Sequence, residues 1–75
     1  MTLDQLPAGQ RAKVASVPGG VGLRRRLAGM GLTPGAEVES VISRGGGPIV
    51  VAVRQTRLAL GRGVARHIGV EPLEE

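Results

Sequence analysis

The 75-residue sequence contains no cysteine and no aromatic residue. Without cysteine, the chain can form no disulfide, no thiolate metal site and no cysteine nucleophile. Without Phe, Tyr or Trp, it lacks the rings on which proteins stack the bases of single-stranded nucleic acid, and it lacks the aromatic groove that binds polyproline segments. These absences argue against several classes of function before any motif is considered.

Long apolar runs are absent as well. No segment approaches the ~18 consecutive apolar residues that a membrane-spanning helix needs. Residues 1–10 show no basic stretch followed by an apolar one, so no secretory signal is expected. The length fits a single domain over residues 1–75, with residues 71–75 as a solvated acidic tail. We therefore expect a cytoplasmic protein that does not insert directly into the membrane.

Acidic residues are few, and half of them stand at the C-terminus. The chain has ten basic and six acidic residues, a formal charge of +4. Residues 1–70 contain all ten basic residues and only three acidic ones, a formal charge of +7. Nine of the ten basic residues are arginine, which favours a guanidinium surface for carboxylates or phosphates. Codon usage in a GC-rich genome would give the same bias.

Short alternating segments separated by glycine and proline predict a mainly β fold. One helix is expected at Val21–Met30, after the first strand, with short helical turns at Thr2–Leu6 and Val64–His67. About five strands of this length favour a small barrel, and closure of the sheet would leave no strand edge exposed. The expected strands are Arg11–Val17, Ala36–Ser43, Pro48–Arg54, Arg57–Leu60 and Ile68–Glu71.

The predicted helix is amphipathic. Leu23, Leu27 and Met30 are spaced i, i+4 and i+7, so they form one apolar stripe. Arg24 and Arg25 fall on the opposite, exposed side. This arrangement predicts that the helix packs its leucines into the core and presents two arginines to solvent.

Groups suited to catalysis or metal binding are scarce. His67 is the only histidine, and no serine has an evident base and orienting acid. Glu37 and Glu39 lie two residues apart on a strand and could pair as acid and base or hold a divalent ion, but we expect an exposed strand face. Transition metals need several converging ligands. We therefore expect no catalytic residue, no metal ligand, no cofactor, no small-molecule substrate and no enzymatic activity.

A glycine-rich segment, Pro18-Gly19-Gly20-Val21-Gly22, precedes the helix. A helix N-terminus with free N–H groups attracts anions. No Lys-Ser or Lys-Thr follows these glycines, so the segment is not the phosphate loop of a nucleotide hydrolase. We expect the glycines to serve sharp turns.

The segment Arg26–Gly35, with the sequence RLAGMGLTPG, resembles the RL..MGL.PG signature of the ferrous iron transport protein A (FeoA) family. Weaker matches at Leu3–Gly9, Pro48–Val53, Leu58–Leu60 and Val64–Val70 follow in order and extend the resemblance over residues 2–71. The resemblance implies an SH3-like barrel and a role in ferrous iron uptake. It also implies a cytosolic accessory of the FeoB iron permease, which carries a cytosolic G-protein domain, and a family association with transition metal ion binding.

The signature also has a structural interpretation. We expect Leu27 and Met30 to plug the barrel, Gly31 to end the helix in a left-handed conformation, and Leu32 to fold back over the opening. Two further residues, Pro34 and Gly35, suit the centre of a turn. At Gln55-Thr56 the family often has glycine, so the last hairpin turn is expected to be wider.

The expected partner-binding residues are arginines. Arg24 and Arg25 on the exposed helix face are the first candidates, and Arg57 and the loop residue Arg62 are secondary ones. Their guanidinium groups would form charge-assisted contacts with acidic groups of the permease. Two alternatives stay open. One is a basic barrel that binds nucleic acid, which the absence of aromatics disfavours, and the other is an SH3-like metal-responsive regulatory domain.

Overall fold

The computed structural model describes residues 1–17, 19–42 and 47–73. They form one five-stranded antiparallel sheet with two helices, so the prediction of a mainly β fold with a helix after the first strand is confirmed. In chain order the elements are a 3₁₀ turn at Leu3–Gln5, β1 at Arg11–Ser16, α1 at Val21–Gly29, β2 at Glu37–Ile42, β3 at Ile49–Val53, β4 at Thr56–Leu60, α2 at Arg62–Ala65 and β5 at Gly69–Pro72.

The strands lie side by side in the order β4-β3-β2-β1-β5. Alternation along each strand turns one set of side chains inward, and the register aligns these sets into cross-strand rows. In one row Ala12 pairs with Val38, which in turn pairs with Val53. All three side chains are buried. The core is therefore built from stacked aliphatic side chains of neighbouring strands.

The core contains only small and medium aliphatic side chains, because the sequence offers no aromatic ring. Helix α1 contributes Leu27, and the 3₁₀ turn contributes Leu3. The buried hydrophobic residues of the described chain are Leu3, Leu6, Ala12, Val14, Leu27, Leu32, Val38, Ile49, Val51, Val53, Leu60, Ala65, Ile68 and Val70. They form one cluster that the helices and the sheet share.

Helix α1 ends in a glycine cap that two backbone hydrogen bonds close. Gly31 has a φ of +88°, and its N–H donates to the carbonyl of Ala28 at 3.0 Å. The N–H of Leu32 donates to the carbonyl of Leu27 at 2.9 Å. This pair of bonds is the Schellman motif, and the two leucines that it joins are both buried. The predicted left-handed glycine and the folded-back leucine are thus confirmed.

A tight turn follows the cap and leads into β2. The N–H of Ala36 donates to the carbonyl of Thr33 at 2.9 Å, with Pro34 and Gly35 as the central residues and a φ of +93° at Gly35. The N–H of Gly35 also donates to the carbonyl of Val14 at 2.7 Å. The turn therefore fixes the start of β2 against β1.

Met30 does not plug the barrel. The helix ends at Gly29, one residue earlier than predicted, and Met30 is its C-cap. Because the chain already leaves the helical path at this position, the side chain of Met30 stays at the edge of the core, with 36% of its surface exposed. Leu32, which the Schellman bonds return to the core, takes the interior position instead.

The C-terminal part of the chain also differs from the expectation. Arg62 and Gly63 belong to α2 and not to a loop. Strand β5 includes Glu71, the predicted strand end, and extends to Pro72, which was expected in the solvated tail and pairs with Ala12 of β1. Leu73 donates its N–H to the carbonyl of Arg11 at 2.9 Å. Glu74 and Glu75 lie outside the described residues, as do the predicted strand end at Ser43 and the glycines at 45 and 46.

The last hairpin turn is tight and not wide. Val53 pairs with Thr56, so the connection between β3 and β4 is the two residues Arg54 and Gln55. Arg54 has a φ of +59°, the only positive φ of a non-glycine residue in the described chain. Two-residue hairpins favour positive φ at this position, which matches the twist of the strands.

Within the described residues, the two sheet edges differ. The outer edge of β5 is covered at one end by the N-terminus, because Leu3 donates to the carbonyl of Ile68 and Val70 donates to the carbonyl of Met1, both at 2.9 Å. The outer edge of β4 has no described backbone partner. The expectation that closure leaves no exposed edge is therefore wrong at β4.

Two glycine substitutions near the end of α1 should have opposite effects on stability. Gly31→Ala forces a side chain into a left-handed conformation, and its Cβ would lie 3.1 Å from Cγ1 of Val53. We expect a loss of about 1–3 kcal/mol in the free energy of unfolding, measured by urea denaturation. Gly29→Ala is the matched control, since nothing lies within 4 Å of its Cβ position, and we expect a gain of about 1 kcal/mol. Equal changes in the free energy of unfolding at the two sites would contradict the role of Gly31 as the helix cap.

Ser40→Ala should stabilise the protein. Ser40 is fully buried in β2, where its neighbour across the sheet is Val51, and its hydroxyl has no hydrogen-bond partner among the described residues. Removing an unsatisfied hydroxyl should raise the free energy of unfolding by about 1 kcal/mol, and hence Tm by about 4–8 °C in a domain of this size. Ser16→Ala, at an exposed serine, should leave Tm unchanged. A drop in Tm for Ser40→Ala would show that the hydroxyl is satisfied.

Candidate partner-binding surface

The exposed face of α1 carries two arginines. Arg24 and Arg25 are exposed, and Leu27 on the opposite side is buried, as the helical spacing predicts. Arg24 donates from Nε to the carbonyl of Gly19 at 3.4 Å, which places its side chain near the start of the helix. No acidic residue stands in α1. Both guanidinium groups are therefore accessible to an external acidic group.

Acidic residues are absent from three elements of the fold. The sequence has no Asp or Glu between Asp4 and Glu37, and none between Glu39 and Glu71. The elements α1, β4 and α2 consequently contain no carboxylate, whereas they carry the five arginines Arg24, Arg25, Arg26, Arg57 and Arg62. Arginine is therefore the only charged residue type in these three elements. The side chain of Arg57 shares a sheet face with Glu39, because both pair with Ala52 of β3.

The secondary candidates differ in accessibility. Arg57 is exposed on β4, directly across from Ala52 of β3. Arg62 is half-buried, and its Nε donates to the carbonyl of Gly47 at 3.0 Å. One terminal nitrogen of Arg62 is buried without a described partner. Arg62 thus ties α2 to the chain just before β3, whereas Arg57 is available at the surface.

The outer face of β1 and β2 carries mixed charges that pair with one another. Arg11 lies opposite Glu39 and forms an ion pair with Glu37 at 2.6 Å between Nη2 and Oε1. Lys13 lies between Glu37 on β2 and Glu71 on β5. Cross-strand pairs of opposite charge stabilise a sheet modestly. The two glutamates therefore belong to an exposed strand face.

An open cleft of about 400 Å³ lies on this mixed face. Its polar lining comes from Arg11, Glu37, Glu39 and Arg54. None of the four arginines predicted to bind a partner lines it. Among the described residues, no three His, Cys, Asp or Glu side chains converge on one point, and His67 is exposed just after α2.

A second, smaller groove of about 200 Å³ lies between α1 and the end of β4. Its lining is largely aliphatic, with Arg26 at the rim. The groove accounts for the partial exposure of Met30, which forms part of its wall. Sequence reasoning missed this groove, because the apolar stripe of α1 gives no indication of which residues lie across from it. The apolar lining residues are Leu23, Leu27, Met30, Ala59, Leu60 and Val64.

The longest helix of the described chain, α1, has nine residues, and no described helix is long and apolar enough to span a bilayer.

Comparison with known proteins identifies the family. The family model for the FeoA domain matches residues 1–72. A candidate Fe(2+) transport protein A of Methanocaldococcus jannaschii is 33% identical over 66 residues, which cover 88% of this chain and 79% of the relative.

Solved structures agree in fold over nearly the whole chain. A crystal structure named as iron uptake regulatory protein (FeoA) is 36% identical with a TM-score of 0.91, covering 97% of both chains. FeoA of Stenotrophomonas maltophilia, solved with zinc and described as a prokaryotic SH3 domain protein, is 37% identical with a TM-score of 0.82, covering 95% of this chain and 89% of that one. The expected SH3-like fold is thus confirmed.

A manganese-dependent transcriptional repressor also superposes, with 24% identity, a TM-score of 0.86 and coverage of 97% of this chain and 41% of that one, a likeness of fold alone. The family match spans every element from the 3₁₀ turn to β5. It includes the capped helix end and the turn into β2, whose bonds are described above. The chain therefore belongs to the FeoA domain family, which is associated with ferrous iron transport.

Proposed function

We propose that this chain is a small accessory protein of ferrous iron uptake that docks on the cytosolic part of a FeoB-like iron permease and regulates it. Membership of the FeoA domain family supports a role in ferrous iron transport. The observation that carries the docking is the exposed pair Arg24 and Arg25 on a helix without a carboxylate. In this proposal the protein acts in the cytoplasm by binding another protein and catalyses no reaction.

The electrostatics of α1 suit an acidic partner. An isolated arginine on a surface gains little from a distant charge, whereas a guanidinium that meets a carboxylate in an interface forms a short, charge-assisted bond. Arg24 and Arg25 are adjacent in sequence, about 100° apart around the helix axis, and both are exposed. Complementary charge of this kind chiefly sets the association rate and partner choice. Regulation would follow from where the protein sits on the permease.

Metal responsiveness has less support in this chain. The zinc complex belongs to the Stenotrophomonas maltophilia relative. Here Glu37 is held by Arg11, and no cluster of three potential ligands exists among the described residues. We therefore propose that iron is the cargo of the transport system and not a resident cofactor of this protein.

Charge reversal on α1 should abolish docking without unfolding the protein. We expect Arg24→Glu combined with Arg25→Glu to lose co-purification with the tagged permease, because two attractive contacts become repulsive. Both side chains are exposed, and Arg24 lies in the first turn of α1, where a carboxylate interacts favourably with the helix dipole, so the thermal unfolding curve should be retained.

The matched control is Arg54→Glu combined with Arg66→Glu. These two exposed arginines lie outside α1, and the double change alters the net charge by the same amount. We expect this variant to co-purify as the wild type does. Unchanged co-purification of the α1 variant would show that this surface is not part of the interface. Loss of co-purification in both variants would show that docking depends on the net charge of the protein and not on α1.

A further inference from the structure

The free edge of β4 presents a regular set of backbone groups. Val53 and Thr56 close a two-residue hairpin, so they form a hydrogen-bonded pair, and such pairs alternate along the ladder. Thr56, Leu58 and Leu60 therefore direct their N–H and C=O groups toward β3. The N–H and C=O groups of Arg57 and Ala59 point away from the sheet, and no described residue bonds to them.

The groove described above begins at this edge. Ala59 and Leu60 form one wall, and Leu23 of α1 and Met30, the C-cap of α1, form the other. Its volume of about 200 Å³ is below the ~300–1,000 Å³ that is usual for small-molecule sites. The space suits one aliphatic side chain of a partner chain better than a free ligand. An extended segment that paired with the edge would place alternate side chains toward the groove.

The surroundings of the edge select for negative charge. Arg26 stands at the rim of the groove, and the exposed side chain of Arg57 projects from the edge strand itself. None of the elements α1, β4 and α2 contains a carboxylate, and Glu39, which shares the sheet face of Arg57, stands two strands away from it. A basic or neutral strand would gain nothing from these charges, whereas glutamates on the outward side of a paired strand would lie near guanidinium groups.

We infer that the groove between α1 and the free edge of β4 binds an extended acidic segment of a partner protein, which adds a strand at Arg57 and Ala59 and inserts one aliphatic side chain between Leu23 and Leu60. The inference deepens the proposed function and rests on it for the role of the segment, which would belong to the docking partner. Main-chain bonds supply affinity, the aliphatic side chain supplies position, and the carboxylates supply selectivity.

The test uses the full chain labelled with ¹⁵N and the peptide acetyl-Glu-Val-Glu-Leu-Glu-Val-Glu-amide. We expect saturable shifts centred on the amides of Arg57 and Ala59, with slowed hydrogen exchange at both, because these N–H groups gain acceptors. A peptide with lysine in place of each glutamate should bind at least tenfold more weakly, and so should one with serine in place of the leucine.

Two variants of the protein separate the edge from the groove. Ala59→Pro removes one outward N–H, and proline is tolerated on edge strands where that group faces solvent, so binding should fall about tenfold in a folded protein. Met30→Glu places a carboxylate in the groove wall and should weaken the acidic peptide about tenfold. Val21→Glu makes a similar change on the same helix at a more exposed position outside the groove, and it should alter affinity less than twofold.

Several results would overturn the inference. These are the absence of shifts in the folded chain at millimolar peptide, equal binding of the lysine peptide, undiminished binding by Ala59→Pro, or a homodimer in sedimentation whose interface covers β4. The outcome is also separable from that of the proposed function. Peptide binding without permease co-purification would contradict only the permease as the partner. Co-purification that depends on Arg24 and Arg25, without peptide binding, would contradict only the groove as a binding site.

Discussion

The fold depends on how one short helix ends. The Schellman bonds at Gly31 and Leu32 return the chain to the core within two residues, and the following turn at Pro34 and Gly35 sets β2 against β1. If the helix continued past Met30, Leu32 would leave the core and β2 would lose its register. In a chain without aromatics or disulfides, each aliphatic side chain is a large part of the core, so this geometry matters more than it would in a larger domain.

The same geometry creates the surface. Because α1 ends beside β4 and not over the middle of the sheet, its apolar stripe is only partly covered, and a groove remains between the helix and the strand edge. The carboxylates of the described chain lie across from cations of β1 or in the 3₁₀ turn, and none stands in α1, β4 or α2. The outer face of β1 and β2 therefore pairs its own charges, whereas the exposed face of α1 presents Arg24 and Arg25 on a helix without a carboxylate.

Local features were predictable from the sequence, and tertiary features were not. The left-handed Gly31 and the Pro34-Gly35 turn follow from residue types whose backbone preferences are strong. Arg62 was expected in a loop, because flanking glycines disfavour a helix, yet a bond to Gly47 and the burial of Ala65 hold that turn in place. The free edge of β4 and the position of Met30 depend on how strands and helix meet, which alternation along one segment does not encode. The resemblance to the FeoA family named the fold correctly, but it did not locate the groove.

We propose that the protein docks through the surface formed by α1, β4 and α2. The most direct measurement is a titration of the ¹⁵N-labelled chain with the soluble cytosolic part of the permease, followed by amide shifts and line broadening. Perturbed amides should cluster in residues 21–30 and 56–62, while those of the paired face of β1 and β2 stay in place. Perturbation centred on Arg11, Glu37 and Glu39, or none at saturating concentration, would contradict it.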